Sequence, residues 1–457
     1  MPAARSPLLE APLLPLICKL AWPGVVLVLF QAAVSIADTH FVGRLGLAPL
    51  AGLALVFPFV MLLQMLSAGA LGGGVSSAIA RALGAGDGLR AQRLMFHALA
   101  LAAVLGLAFT AIMLAVGPLL FRLLGGTAEV LDQALAYANL LFGGCVLTWL
   151  ANFCANMLRG QGAMRPPALA MSVAACLHIA LSYGLTLGAW GMPAMGMRGA
   201  ALAYVIGWGA AFALLLGWLM WGKVRVPFTF VGQQWEGALA RDILSVGGMS
   251  SLSALQTVLA SVVLTGMVGS FGVQALAGYG VGMRLELMQV PLVFAIGAAL
   301  VPLVGMNIGA GNPARAKRAA FTGAAIAAGI SLVIGFWAAL FPQVWVQLFS
   351  HDPQVIEAGS AYLRRVAPFY PFMGIGVALY FASQGAQRVG WPVLAGTARL
   401  IVAVGGGWLV LQTGGGLAML FWAIAAAITV WGSLTALAVW KAQWGTLTPT
   451  PAPTTQR

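Results

Sequence analysis

Two carboxylic acids stand well inside long apolar stretches of this chain, Asp38 and Glu286. A charge near the centre of a bilayer costs about 2.5–3.5 kcal/mol on insertion scales, so an acid retained there is expected to act rather than to pack. The chemistry open to a lone buried carboxyl is to take up and give back a cation, and desolvation favours its neutral form. Gln31, Ser35 and Asp38 recur at i, i+4 and i+7, which draws one polar stripe down an otherwise apolar helix. His178 and Ser182 stand four apart in another apolar stretch, and Asn152, Asn156 and Arg159 repeat the i, i+4, i+7 pattern in a third. Tyr137 stands near the outer end of a further apolar stretch, and Arg284 lies two residues from Glu286.

Each of these has a plainer reading. The stripes serve equally as hydrogen-bonded seams between helices, a lone intramembrane His usually packs, and Tyr137 suits an interfacial belt. Arg284 and Glu286 point in different directions on a helix, so Glu286 alternatively forms an ion pair with a neighbouring helix. The four cysteines, Cys18, Cys145, Cys154 and Cys176, lie in apolar stretches without disulfide or zinc spacing and read as small packing residues. No metal site is expected. Enzymatic motifs are missing: there is no GxxxxGKS/T phosphate loop, no HExxH and no GxSxG turn, so the chain reads as a non-enzyme that does not hydrolyse ATP by that route. No cofactor is expected beyond a coupling cation, H+ or Na+.

The elements that must hold these residues follow from composition. The 457 residues are 61% hydrophobic and 7% charged, with 59 glycines, against about 25% charged in soluble domains. Such a chain lies mostly in hydrocarbon, where only helices satisfy an open backbone. Twelve apolar segments can be drawn, at about 16–41, 48–80, 94–116, 131–157, 168–188, 199–221, 242–267, 275–307, 319–341, 358–383, 392–411 and 417–439. With both termini inside, 16 of the 23 Lys and Arg fall on the inner side, five on the outer side and two, Arg284 and Arg399, within spans. That obeys the positive-inside rule and accounts for much of the net charge of +13 without nucleic acid.

The chain also repeats itself. GAGDGLRAQRLMF at 84–96 and GAGNPARAKRAAF at 309–321 agree at seven of thirteen positions. VGRLGLAPLAG at 42–52 matches VGSFGVQALAG at 268–278 at six of eleven, QGAMR at 161–165 matches QGAQR at 384–388, and PALA at 167–170 matches PVLA at 392–395. Six spans separate equivalent points, which predicts an all-α integral membrane protein with two six-helix bundles related by a pseudo-two-fold axis along the membrane normal. The boundaries expected are an N-lobe at 1–222, a linker at 223–241, a C-lobe at 242–440 and a disordered tail at 441–457. The symmetry mates of Asp38 and Glu286 are Leu264 and Val60, so the scaffold itself needs neither acid.

In order and spacing, the proline-bearing first span, ADTHFVGRLG, the paired GAG turns and LRGQGAMRPP resemble the multidrug and toxic compound extrusion (MATE) transporters, over essentially all of Leu16 to Trp440. The resemblance implies two lobes around a V-shaped cavity and alternating-access export of drugs or metabolites on a proton or sodium gradient. It implies that Asp38 is the cation-coupling residue, and that Gln31 and Tyr137 line the N-lobe cavity as in the DinF-like branch. His178 and Ser182 stand where relatives often carry Asn and Asp. Gln256 stands near a C-lobe Glu position, which favours protons over sodium. The function expected is a proton-coupled efflux antiporter of the cell (inner) membrane, monomeric and with cytoplasmic termini, hinged at Pro23. Its substrates are expected to be small, organic and cationic or amphipathic, and its partners membrane lipids. A lipid-linked precursor flippase and a major-facilitator-type transporter are the alternatives.

Overall fold

An apolar chain of this length must close its backbone hydrogen bonds within helices. The computed structural model describes residues 7–126 and 128–444, and those residues are helical without a strand among them. Eleven helices are long and apolar enough to span a membrane, and a bent pair supplies a twelfth crossing. In order they are α1 (Leu13–Gly43), α2 (Leu47–Gly84), α3 (Gly88–Leu123), α4 (Ala128–Gly143 and Cys145–Gly160, bent by 47°), α5 (Arg165–Leu187) and α6 (Met197–Trp221). The second half supplies α7 (Gly237–Gly269), α8 (Val273–Gly309), α9 (Pro313–Leu340), α10 (Pro353–Gly385), α11 (Gly390–Gln412) and α12 (Leu417–Lys441). Below, the face carrying the start of α1 and the end of α12 is the terminal side, and the opposite face is the far side.

The two halves pack alike. Helix α1 lies on α5 as α7 lies on α11, α3 on α4 as α9 on α10, and α5 on α6 as α11 on α12. The break in α4 at Gly144 recurs in α10 as a 3-10 turn, Ala367–Phe369. The linker expected at 223–241 is shorter, because α7 begins at Gly237. It is tied to the first bundle by a hydrogen bond from the Val226 amide to Gln161 Oε1 (3.0 Å) and one from the Glu236 amide to His97 Nε2 (2.7 Å). Of the expected tail, residues 445–457 lie outside the described residues.

The repeated GAG turns have a structural purpose. Gly86 and Gly311 take left-handed φ values of 78° and 73°, so each ends its helix with the reversal that glycine permits. Their partners Gly84 and Gly309 then meet across the pseudo-two-fold axis: a Cβ on Gly84 would strike the Met306 carbonyl, and one on Gly309 would strike the Arg81 carbonyl. Those contacts are symmetry equivalents at an offset of 225. The same offset pairs Gly160, which abuts the Ser76 carbonyl, with Gly385, which abuts that of Val301. The sequence match of QGAMR to QGAQR, at an offset of 223, is therefore out of register by two residues. Four matching letters outweighed helix packing in the alignment, and packing is what sets the register.

The bundles are held together on the terminal side. Arg81 of α2 pairs with Asp242 of α7 at 2.6 Å, with side chains 8% and 12% exposed, and Arg90 reaches the other Asp242 oxygen at 3.1 Å. Ser77 Oγ donates to the Gln384 carbonyl, and Gln384 Nε2 donates to that of Gly69 (3.2 Å). The start of the chain crosses both bundles here: Asn307 Nδ2 donates to the Leu8 carbonyl (3.1 Å), while Leu8 also lies against Gly162. Among the described residues, no hydrogen bond between bundles lies in the far half.

Candidate functional site

His178 and Ser182 are one helical turn apart, so both present to whatever packs on that face of α5, and what packs there is the far end of α1. Asp38 is the result's centre. His178 Nε2 lies 2.9 Å from both carboxylate oxygens, and Ser182 Oγ donates to Oδ1 at 2.8 Å. The two side chains of the pair are 6% and 15% exposed. Gly207 of α6 makes room behind, since a Cβ there would come within 3.1 Å of His178 Cβ.

The cluster continues inward as a chain of polar groups. Tyr204 stands edge-on to the His178 ring, 6.1 Å between centroids, and its hydroxyl accepts from Gln64 Nε2 (3.2 Å). Asn152 Nδ2 donates to Gln64 Oε1 (3.1 Å) and to Ser67 Oγ (2.9 Å), and Asn156 Nδ2 donates to the Ala68 carbonyl (3.2 Å). Here α2 widens into a π-helical turn, Met65–Ala70, a local defect that recurs at functional sites. Asn152 and Asn156 thus form a hydrogen-bonded seam between α4 and α2, the plainer of the two readings of their stripe. Tyr137 is buried and within electrostatic range of Asp38.

The remaining candidates fall elsewhere. Ser35 is exposed and makes no hydrogen bond to the cluster among the described residues, its carbonyl instead accepting from Thr39 Oγ1 (2.8 Å). Gln31 lines a small cavity of about 90 Å³ between α1, α2, α4, α5 and α8, together with Leu20, Gln64, Asn152, Arg159 and Phe294. Pro23 lies within the continuous helix α1 beside this cavity, where it removes one helical hydrogen bond. The next residue, Gly24, abuts α8, since a Cβ there would lie 3.1 Å from that of Ala295.

In the second bundle, Glu286 is 8% exposed and accepts from the Tyr362 hydroxyl at 2.9 Å. Tyr279 stands edge-on to Tyr362 at 5.3 Å, and Arg399, within electrostatic range of Glu286, lies over Trp431 at 4.9 Å. Tyr362, at an offset of 225 from Tyr137, is its equivalent, but the hydrogen bond from tyrosine to acid is made in the second bundle. Arg284, expected in the cavity, is exposed and stacks over Phe349 at 5.1 Å. About 200° of helical rotation separates it from Glu286. Gln256 is part-buried on α7 and donates to Thr397 of α11 (2.8 Å), outside both acid clusters.

Comparison with known proteins fixes the identity of this frame. The MatE family profile matches twice, once in each half, at residues 23–184 and 250–409. The chain belongs to the MatE family. Among its relatives is a protein described as a FAD transporter of Shewanella oneidensis, 28% identical over 404 residues that cover 87% of this chain and 88% of the relative. A probable multidrug resistance protein NorM of Thermotoga maritima is 26% identical, covering 84% of each chain. A solved transporter of the MOP superfamily from Pyrococcus furiosus, described by the reversed polarity of its binding pocket, superposes with a TM-score of 0.88 at 27% identity, covering 95% of this chain and 98% of its own. A MATE transporter described as outward-facing gives 0.86 at 26% identity, covering 94% and 96%. This MatE protein is therefore a multi-pass membrane transporter of small organic molecules, not an enzyme, and the major-facilitator alternative falls.

Proposed function

We propose that the chain is a proton-coupled efflux antiporter with its terminal side in the cytoplasm. The observation that carries the reading is the Asp38 cluster, an ionisable carboxyl held by an imidazole and a hydroxyl near the far end of α1. The excess of Lys and Arg on the terminal side supports the orientation. Joined on that side and unlinked in the far half, the bundles resemble the outward-facing neighbour.

Coupling follows from the bond pattern. Ionised Asp38 accepts from Ser182 and shares both oxygens with His178. With the ring proton on His178 Nε2, a proton arriving from outside turns one accepting oxygen into a second donor, so the contact to His178 breaks and α1 shifts on α5. Pro23 has already weakened α1 at the level where Gly24 meets Ala295, so the shift bends α1 against the second bundle. Sodium suits the site less well. Hard cations take roughly six oxygen ligands, and here one nitrogen already faces both carboxylate oxygens. Efflux is favoured over lipid flipping by the relatives, which are described by soluble cargo and multidrug resistance.

The test is transport in proteoliposomes loaded with fluorescent dyes of either charge, under an imposed pH or sodium gradient. The pH gradient drives efflux in the native protein, and Asp38→Asn abolishes it while monodispersity in detergent is retained. Full gradient-driven transport by Asp38→Asn, or transport on a sodium gradient alone, rejects the proposal.

A further inference from the structure

The cavity beneath Pro23 carries a single charged residue in its wall, and it is a cation. Arg159 stands at the terminal end of α4, and Asp38 is not part of the wall. A guanidinium offers five N–H donors and no acceptor. The hydrogen-bond partner of Arg159 is Met171 Sδ at 3.9 Å, a weak acceptor, and no carboxylate among the described residues lies within ion-pair reach. Gln31, in the same wall, makes no hydrogen bond among the described residues. A half-buried cation without a counter-ion, facing a cavity, favours a bound anion.

We infer that this cavity seats an anionic group of the transported molecule, a phosphate or carboxylate held by Arg159, with an aromatic or apolar body extending past Gln31 and Phe294. The inference rests on the transport reading above but not on proton coupling.

Symmetry argues that Arg159 is not there for the scaffold. Its equivalent at an offset of 225 is the uncharged Gln384, and α10 ends as α4 does without a cation at that place. Balancing the dipole at a helix C-terminus therefore does not demand it. Nor is Arg159 exposed as Arg165 is, six residues on. It turns inward, to a wall it shares with Leu20, Met164 and Phe294. Size sets what fits. About 90 Å³ is roughly three water volumes, whereas pockets that enclose a whole drug-sized ligand run to about 300–1,000 Å³. The cavity in this state holds a head group, not an entire substrate.

The test compares equilibrium binding of riboflavin 5′-phosphate, riboflavin and a rhodamine cation to the full-length protein in nanodiscs of uncharged lipid at low salt. These probes separate the phosphoryl group from the ring that carries it, and a benzoate-bearing dye against its methyl ester does the same for carboxylate. The native protein is expected to prefer the phosphorylated flavin by about tenfold or more, the scale of a charge-assisted bidentate contact. Arg159→Gln should bring the two flavins to equal affinity without weakening riboflavin, which also reports that the variant is folded. Arg159→Lys should keep part of the preference, a point charge replacing the planar fork. Equal binding of the flavins by the native protein, tighter binding of the cation, no binding of the phosphate ester, or undiminished preference in Arg159→Gln overturns the inference. Binding needs no gradient, so loss of proton coupling would leave this result standing, and failure here would leave Asp38 untouched.

Discussion

Neutralising Asp242 should open the terminal side. Its carboxylate joins the two bundles through Arg81 at 2.6 Å, and the side chains are 12% and 8% exposed. Removing one partner of a buried ion pair leaves the other charge uncompensated, at about 3–5 kcal/mol. Arg90 is 39% exposed, so its bond adds little. Asp242→Asn keeps the shape, and Ser77 still accepts from Arg81, so the lower figure applies. At 1.4 kcal/mol per factor of ten, about 3 kcal/mol shifts the balance roughly a hundredfold toward bundles parted on that side. Spin labels at Leu89 and Ala314, exposed equivalents in the two copies, report the separation once the exposed Cys18 and Cys176 are replaced. The native protein should give one short distance, Asp242→Asn a second and longer population, and Asp242→Asn with Arg81→Gln a partial return. An unchanged distance distribution in Asp242→Asn would show that this ion pair does not hold the bundles closed.

Two further outcomes follow from single contacts. Tyr362→Phe takes the hydroxyl from buried Glu286; a hydrogen bond to a charged group is worth about 1.5–3 kcal/mol, so the melting temperature in detergent should fall and recover when Glu286→Gln is added, and an unshifted melting curve would count against the contact. Gly309→Ala should push a methyl into the Arg81 carbonyl at about 1–3 kcal/mol, lengthening the Leu89–Ala314 distance, while Gly329→Ala, with open space at its Cβ, should leave it alone; equal distances in the two variants would refute the close-contact argument.

Much of the frame was legible in sequence because hydrocarbon leaves a chain so few options. The twelve apolar runs became twelve crossings, and the GAG repeat announced the axis on which Gly84 and Gly309 meet. The register of QGAMR was misread because four identities cannot report which glycine a neighbouring helix touches. At the site, Asp38, His178 and Ser182 each stood out on their own helices, yet which helix faces which is decided by bundle packing. Tyr204 and Gln64, lone polar residues without an i+4 partner, gave no such signal. Tyr362 did leave one: the Ala-Tyr pair at 136–137 recurs at 361–362. Asp242, at the edge of the span drawn from 242, gives no sign of its partner Arg81 until α2 is laid against it.

The two halves of the site constrain each other in sign. His178, bonded to Asp38, and Met171, in contact with Arg159, are seven residues apart on α5, or about 10 Å. At an effective dielectric of 20, unit charges at that distance interact by about 1.7 kcal/mol. An anionic substrate on Arg159 would be repelled by ionised Asp38 and relieved by its protonation, so direct electrostatics alone favours proton and substrate binding together, the opposite of exchange. Antiport of an anion therefore requires that protonation close or distort the cavity by more than this amount. Losing hydrogen bonds to the ionised carboxylate is of sufficient size, about 1.5–3 kcal/mol for each, and the route is short: α1 carries Asp38 at one end and Leu20, Gly24 and Gln31 along the cavity wall. The helix that senses the proton is also the wall of the pocket, which lets a mechanical term overrule an electrostatic one.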